Sequence, residues 1–295
     1  AISPGLTGQL DHKQEPSFTE ACYFCHAPLN EQSQYISTVD GYEKNPKYIR
    51  SIEGEGVTCA ACHLRNGSVY GPSTNSVFKD SAFCGACHQL PDGYVLNGKL
   101  LVNTYNEWKE SPYPEKNISC QSCHMPDKRH LFRGIHDKEM TRSALNITSA
   151  LSSTSGIATS SLTIENTGAG HYFPTYITPL IVIEAYVETT EGKEKIKTWQ
   201  VGRIANLALT EEAMDTRLKP MEKRELTFET KLPNKPFKII FEAWVYPDEF
   251  YNRFYRSLLK SGSYKNRALI EKALHDTENS PYMLFKEVIT VNNIL

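Results

Sequence analysis

The sequence predicts an α+β chain in two chemically different parts: a loop-rich N-terminal domain over 1–145 and a C-terminal β-sandwich over 146–295, with two helices inserted at about 248–276. Three observations predict it. All eight cysteines fall between Cys22 and Cys123, and none follows. From about Asn146 apolar and polar residues alternate at period two, the pattern of half-buried strands. Between the last two such runs lie two stretches whose apolar residues fall on a helical stripe. At 295 residues the chain can hold two domains, each with its own core.

Composition narrows the function classes. With 40% hydrophobic and 22% charged residues and a mean hydropathy of -0.44, the chain reads as an ordinary globular protein. Its formal charge of -2 gives no net basic field to hold nucleic acid or an anionic membrane surface. The longest apolar stretch, near Pro179 to Val187, contains Glu184 and falls far short of the roughly 20 residues a spanning helix needs. The start, Ala1-Ile2-Ser3-Pro4-Gly5, has neither an initiating Met nor the basic and apolar regions of a signal peptide. A removed export signal accounts for both, so an extracytoplasmic location is expected.

The N-terminal part is defined by four pairs of cysteines, each with two intervening residues and each followed at once by histidine: Cys22 and Cys25 with His26, Cys59 and Cys62 with His63, Cys84 and Cys87 with His88, Cys120 and Cys123 with His124. A disulfide framework gives no reason for the histidines. A thioredoxin-like site uses one pair in a βαβ setting, which is lacking here. Zinc ribbons pair such units but do not place histidine after every one. Covalent haem c uses every part, since two thiols add to two vinyl groups and the next residue gives its imidazole to iron. Four covalent haems are therefore expected. The rest of 1–145 is rich in Gly, Pro, Tyr and polar residues, with short helical patterns such as Thr104 to Glu110, so the haems are expected to serve as its core and to couple folding to cofactor attachment.

Five histidines remain for the distal side of the irons: His12, His130, His136, His171 and His275. His130 and His136 stand six apart around Gly134 and cannot share a helix face, so they are assigned to different haems, against the alternative of two surface histidines. His12 sits on a polar N-terminal arm, where a solvated role competes with ligation. His171 follows Gly168-Ala169-Gly170, small residues that let backbone approach a flat ring, and precedes Pro174. Its alternative is a histidine satisfied within a turn. His275 ends a helical pattern, where a cation suits the helix dipole, and is read as structural. The metal set is thus His26, His63, His88 and His124 with His12, His130, His136 and His171.

In the C-terminal part the strands follow in order: Ala144 to Ala150, Leu162/Ile164, Ile181/Ile183/Ala185/Val187, Lys195 to Trp199, Leu226/Phe228, Phe237/Ile239/Phe241/Ala243/Val245, and Glu287 to Val291. About seven strands pack naturally as a sandwich. Thr189-Thr190-Glu191-Gly192-Lys193 reads as a hairpin turn. Asp248 caps a helix with Phe250, Phe254 and Leu258 on one stripe that ends near Gly262, and a second helix begins from Ser263 with Leu269, Ile270, Ala273 and Leu274. This half contains no nucleophile triad and no phosphate-cradling loop, so a scaffold or interaction role is expected. Sequons at Asn66, Asn117 and Asn146 would accept glycans in a glycosylating host.

Several phrases carry a family resemblance: Phe83-Cys84-Gly85-Ala86-Cys87-His88-Gln89, Trp108-Lys109-Glu110-Ser111-Pro112-Tyr113 leading to Ile118 through Pro126, Gly170-His171-Tyr172-Phe173-Pro174-Thr175, and Asp215 to Pro220. They resemble multihaem c-type cytochromes related to the tetrahaem electron carrier of ammonia oxidisers, in versions with a C-terminal β-domain. The resemblance implies a histidine ligand two places after the serine of the Trp-x-x-Ser phrase, where this chain has Tyr113. A distal ligand must then come from elsewhere, or one iron is open. Size and haem number are also similar to subunits of extracellular tetrahaem cytochrome filaments, in which one iron takes a histidine from the adjacent subunit. That similarity implies a head-to-tail homo-oligomer with buried, ordered termini, His12 as donor, and redox proteins or extracellular acceptors as partners. Electron transfer without catalysis is the expected function. The alternatives are a soluble periplasmic carrier, a reductase with one open haem, and a haem-dependent sensor or adhesin.

Overall fold

The computed structural model describes residues 23–65, 68–71, 75–232, 235–262 and 266–291. The chain divides into two compact units, one of Ala1–Cys87 with Arg253–Asp276 and one of His88–Asn252 with Thr277–Leu295. The division falls inside the third cysteine motif.

In the first unit the motifs lie on single helical turns: 23–26, α1 (Cys59–His63) and α2 (Ala82–His88). Among the described residues of 23–87, Ala27 is the one buried apolar side chain. Buried amides hold the loops instead. Gln32 donates to the Ile52 and Gly56 carbonyls at 3.2 and 2.8 Å and accepts from Leu29 N–H at 3.0 Å. Asn45 donates to the Asn30 and Ser33 carbonyls at 2.7 and 2.8 Å. Such bonds fix loop shape but contribute only about 1 kcal/mol each, so this segment has little of the apolar burial that stabilises a domain.

The second unit is built differently. It begins with short helices α3 (Thr104–Lys109), α4 (Cys120–His124) and α5 (Lys138–Ser143). Long antiparallel strands follow: β1 (Leu145–Thr154), β2 (Ile157–Asn166), β3 (Leu180–Thr189), β4 (Gly192–Ala205), β5 (Glu212–Asp215), β6 (Lys223–Lys231), β7 (Phe237–Tyr246) and β8 (Tyr282–Val291). They form a five-stranded sheet in the order β5-β4-β3-β7-β8 and a three-stranded sheet in the order β6-β2-β1. Both sheets contribute to one apolar core: Leu162, Ile164, Leu226 and Phe228 from the smaller, Ile181, Ile183, Ile239 and Phe241 from the larger. Phe228 meets Phe241 edge to face across it, with centroids 5.8 Å apart.

Seven of these strands are the ones expected, several of them longer. The stretch from Lys195 to Trp199 is the middle of β4, whose pairing with β3 runs from Gly192 opposite Thr189 to Gly202 opposite Leu180. The short edge strand β5 carries too few residues to show alternation. The first inserted helix, α6 (Glu249–Ser261), ends at Gly262 with φ 74°, as expected of a helix stop. Phe250 and Tyr255 are its buried residues, whereas the expected Phe254 and Leu258 are half-buried. The second, α7 (Arg267–Glu278), begins later than expected. Asn266 caps it, accepting from Leu269 N–H at 3.2 Å, and Ser263 lies outside the described residues.

Candidate functional site

The fourth motif is the most completely built. Ser119 and Ser122 cap α4 reciprocally at 3.3 and 3.1 Å, so that Cys120 and Cys123, three residues apart, share one helix face and His124 closes the turn. Trp108 Nε1 donates to the Ile118 carbonyl at 3.0 Å, tying α3 to the start of this turn. His124 Nδ1 contacts the Arg133 carbonyl at 2.7 Å. That bond places the ring proton on Nδ1 and leaves the lone pair on Nε2, the state a metal requires.

His171 reaches the same place from the loop between β2 and β3. Its ring lies 12° from the plane of His124, with centroids 6.3 Å apart. Two imidazoles bound end-on to one metal through nitrogens at about 2 Å hold their ring centres about 6 Å apart. His171 Nδ1 contacts the Tyr172 carbonyl at 2.9 Å, which again leaves the lone pair on Nε2. Desolvation, with smaller contributions from His124 and His88, pushes the His171 pKa down to about 4, so the imidazole is neutral near pH 7.

The loop carrying His171 is fixed by close packing. A Cβ on Gly168 would lie 2.1 Å from the Ser143 carbonyl oxygen, and one on Gly170 would lie 3.0 Å from Trp108 Cδ1 and 3.1 Å from Tyr113 Cγ. Buried Asn166 donates to the His171 and Leu218 carbonyls at 2.9 and 3.2 Å and accepts from Ala169 N–H at 3.1 Å. Tyr113, which replaces the histidine implied by the resemblance, is buried and donates its hydroxyl to the Thr167 carbonyl at 2.7 Å. Its ring is the floor on which Gly170 sits.

The second motif shows the same polarity of its imidazole, and the third holds its ring by a hydroxyl. His63 Nδ1 contacts the Tyr70 carbonyl at 2.7 Å, and His88 Nδ1 contacts the Tyr176 hydroxyl. Desolvation lowers the pKa of His26. Cys25 Sγ lies 3.8 Å from the Cys87 carbonyl, bringing the first motif against the third. Phe78 stacks on His63 at 5.1 Å and meets Phe83, beside Cys84, at the same distance, so an aromatic pair links the second motif to the third. Cys22 and His12 lie outside the described residues.

Two further candidates make other contacts as well. His130 meets Phe132 edge-on with centroids 5.8 Å apart. His136 Nε2 pairs with Asp248 Oδ2 at 3.0 Å, which leaves only Nδ1 for a metal. His275, expected to be structural, stands 3.8 Å from Asp276 at the end of α7.

Haem fits these residues better than the alternatives do. None of the seven described cysteines is in a disulfide. Among the described residues no three Cys, His, Asp or Glu side chains converge as a zinc site needs, whereas a porphyrin brings its own four nitrogens and asks only for axial imidazoles. Sequence reasoning missed Glu107, Arg217 and Tyr176, which surround this loop; a buried Glu inside a short helical pattern has no spacing signature.

No family model matches the chain, and no curated protein matches its sequence. Among solved structures, a penta-heme cytochrome c552 from Thermochromatium tepidum is similar over 96% of this chain and 67% of its own, with a TM-score of 0.54 and 15% identity. A β-glucosidase from Kluyveromyces marxianus matches 35% of the chain with a TM-score of 0.19 and carries no weight. The chain thus shares its fold with a multihaem c-type cytochrome. Among the described residues no helix is long and apolar enough to cross a membrane.

Proposed function

We propose that this chain is a tetrahaem c-type electron-transfer protein working outside the cytoplasm, with a haem-packed, loop-rich domain over 1–145 and a β-sandwich over 146–295. Each CxxCH motif holds one haem through its two thioethers and its histidine. Bound haem supplies an iron that takes up and returns one electron at a time. The observation that carries the reading is the His124 and His171 pair. Two imidazoles, 6.3 Å apart and nearly parallel, grip one iron from both sides and leave no coordination position for substrate. An iron closed in this way transfers electrons rather than transforming a bound molecule, which argues against a reductase site at the fourth haem. The contacts of the first and second motifs with the third support the close spacing that electron hopping needs.

The chain works, in this reading, as a head-to-tail filament. The support is ligand supply: Tyr113 is committed to Thr167, and with His130, His136 and His171 each on an iron the chain's own distal histidines number three for four irons. His12 from a neighbouring copy completes the remaining iron. A heterologous contact of this kind does not close, and it propagates.

Mass spectrometry of denatured, thiol-treated protein should retain four haems, because thioethers survive reductants that open disulfides. Oxidised protein at low temperature should show low-spin iron throughout, with the fourth haem giving the rhombic EPR signal of near-parallel imidazoles. A high-spin haem in the intact assembly would refute closure and restore the reductase. Electron microscopy of the native protein should show filaments that His12→Ala shortens; dispersed monomers would leave the soluble carrier.

A further inference from the structure

The second unit contains a buried carboxylate that the proposed function does not use. Glu107 on α3 is 3% exposed. Its Oε2 accepts from Tyr172 N–H at 3.0 Å and from the Thr175 hydroxyl at 2.7 Å, and its Oε1 faces Arg217 Nη1 at 3.3 Å. Arg217 completes the clamp. It donates to the Thr175 carbonyl at 2.9 Å, lies 5.0 Å over the Tyr172 ring, and is itself held by Asp215 at 2.8 and 3.0 Å.

These contacts bracket His171. The residue before it, Gly170, packs on Trp108, the neighbour of Glu107 on the same helical turn, and the residue after it, Tyr172, gives its N–H to Glu107. One turn of helix therefore fixes both sides of the imidazole-bearing residue, and the same turn is tied through Trp108 to the start of the fourth motif. A carboxylate is a costly way to fasten a loop. Burial raises the Glu107 pKa, against Thr175, Arg217 and Tyr172, and leaving such a charge in a core demands paired donors at every oxygen. A charged acceptor makes shorter and stronger hydrogen bonds than a neutral one, which suits a contact that must hold a ring angle rather than merely close a loop.

We propose that Glu107 is a positioning residue for His171, holding its imidazole opposite and nearly parallel to His124 through the Tyr172 N–H and the Thr175 hydroxyl. The proposal rests on the reading that His171 ligates the fourth iron.

The test uses oxidised holoprotein and low-temperature EPR with visible spectra. His171→Ala should make one haem high-spin; if every iron stays low-spin, the ligand assignment itself fails, whatever Glu107 does. Glu107→Ala should give a partial high-spin signal from the same haem, which added imidazole converts to low-spin because the iron is intact and only its ligand is misplaced. Glu107→Gln retains one acceptor oxygen, so it should stay low-spin with shifted g values for that haem alone. If His171→Ala is high-spin but both Glu107 variants match the native spectra, the positioning role is overturned. A high-spin signal in Glu107→Ala that imidazole leaves unchanged also overturns it, assigning the carboxylate to the fold. Should Glu107→Ala yield no holoprotein, the g values of Glu107→Gln decide alone.

Discussion

Gly168→Ala tests whether the loop carrying His171 is fixed by backbone contact. The added methyl would lie 2.1 Å from the Ser143 oxygen and 2.9 Å from Ala144 Cα, whereas ordinary contact begins at 3.4 Å, so loop and strand must part by about 1.3 Å. Neither can yield cheaply. The Thr167 and Gly168 N–H groups both donate to the Ala144 carbonyl, at 3.1 and 3.0 Å, and Leu145 opposite Asn166 begins the β1–β2 ladder immediately beyond. Overpacking costs about 1–3 kcal/mol, and two strained hydrogen bonds add about 1 kcal/mol each, giving a loss of about 3–5 kcal/mol. For a unit of this size that corresponds to a fall in melting temperature of roughly 6–20 °C. Thermal melts of the holoprotein followed by far-ultraviolet circular dichroism should show it, together with a high-spin component as His171 is displaced. Gly170→Ala meets only the Trp108 and Tyr113 rings, at 3.0 and 3.1 Å, which can shift, so about 1 kcal/mol is expected. If Gly168→Ala melts within 2 °C of the native protein, a span set by the roughly 2 °C that 1 kcal/mol moves such a domain, the packing argument is wrong.

Arg203 is fully buried and donates to the Leu96, Lys99 and Leu100 carbonyls at 2.8, 3.2 and 2.6 Å and to Glu212 at 2.6 Å. Arg203→Met should cost about 3–5 kcal/mol in chemical denaturation by stranding those acceptors; a loss below 1 kcal/mol would mean that the hairpin at Val95–Leu100 holds itself. Asn166→Ala removes three buried bonds and should cost about 2–4 kcal/mol, with partial loss of low-spin iron at the fourth haem. The His136 pKa is raised, chiefly by its hydrogen bond to Asp248. Its stabilisation is therefore complete below about pH 6.5 and lost as pH rises through the higher folded value. The ring is 63% exposed, so screening leaves about 0.5 kcal/mol or less, and His136→Gln should flatten the stability slope above pH 6.5. A new high-spin signal in that variant would place His136 on an iron.

What was legible in the sequence follows the range of each interaction. The CxxCH motifs are local, because two thiols and an imidazole on one helical turn must be contiguous, and so they are visible as spacing. The strands are visible because one face of each is buried, and four of the seven expected stood out by alternation. The second helix began at Arg267 rather than at Ser263 because Asn266 supplies the cap, a choice between neighbouring polar residues that periodicity does not decide. The His136 and Asp248 pair joins residues 112 apart, and Glu107 meets Tyr172 across 65. No local pattern encodes either. Tyr113 shows the limit most clearly: the sequence marked the absence of a histidine, while the gain, a hydroxyl on Thr167 and a ring under Gly170, appears only in three dimensions.

In the proposed reading, the β-sheet core acquires a function through this loop. A distal imidazole is useful for electron transfer only if its position is the same in both oxidation states, since any rearrangement of ligands adds to the barrier for each electron. Loops held by side-chain bonds alone open at little cost. Here the segment from Asn166 to Thr175 leaves the end of β2, passes over Tyr113, forms a bridge between Phe173 and Leu218 with hydrogen bonds of 2.8 and 2.9 Å, and ends on Glu107 and Arg217. Asn166, Phe173 and Leu218 are all buried, so displacing His171 means disrupting the core that the two sheets share. If His171 ligates the fourth iron as proposed, the strands set the stiffness of a ligand that the CxxCH turn alone could not fix, and covalent attachment and apolar packing meet at His124 and His171.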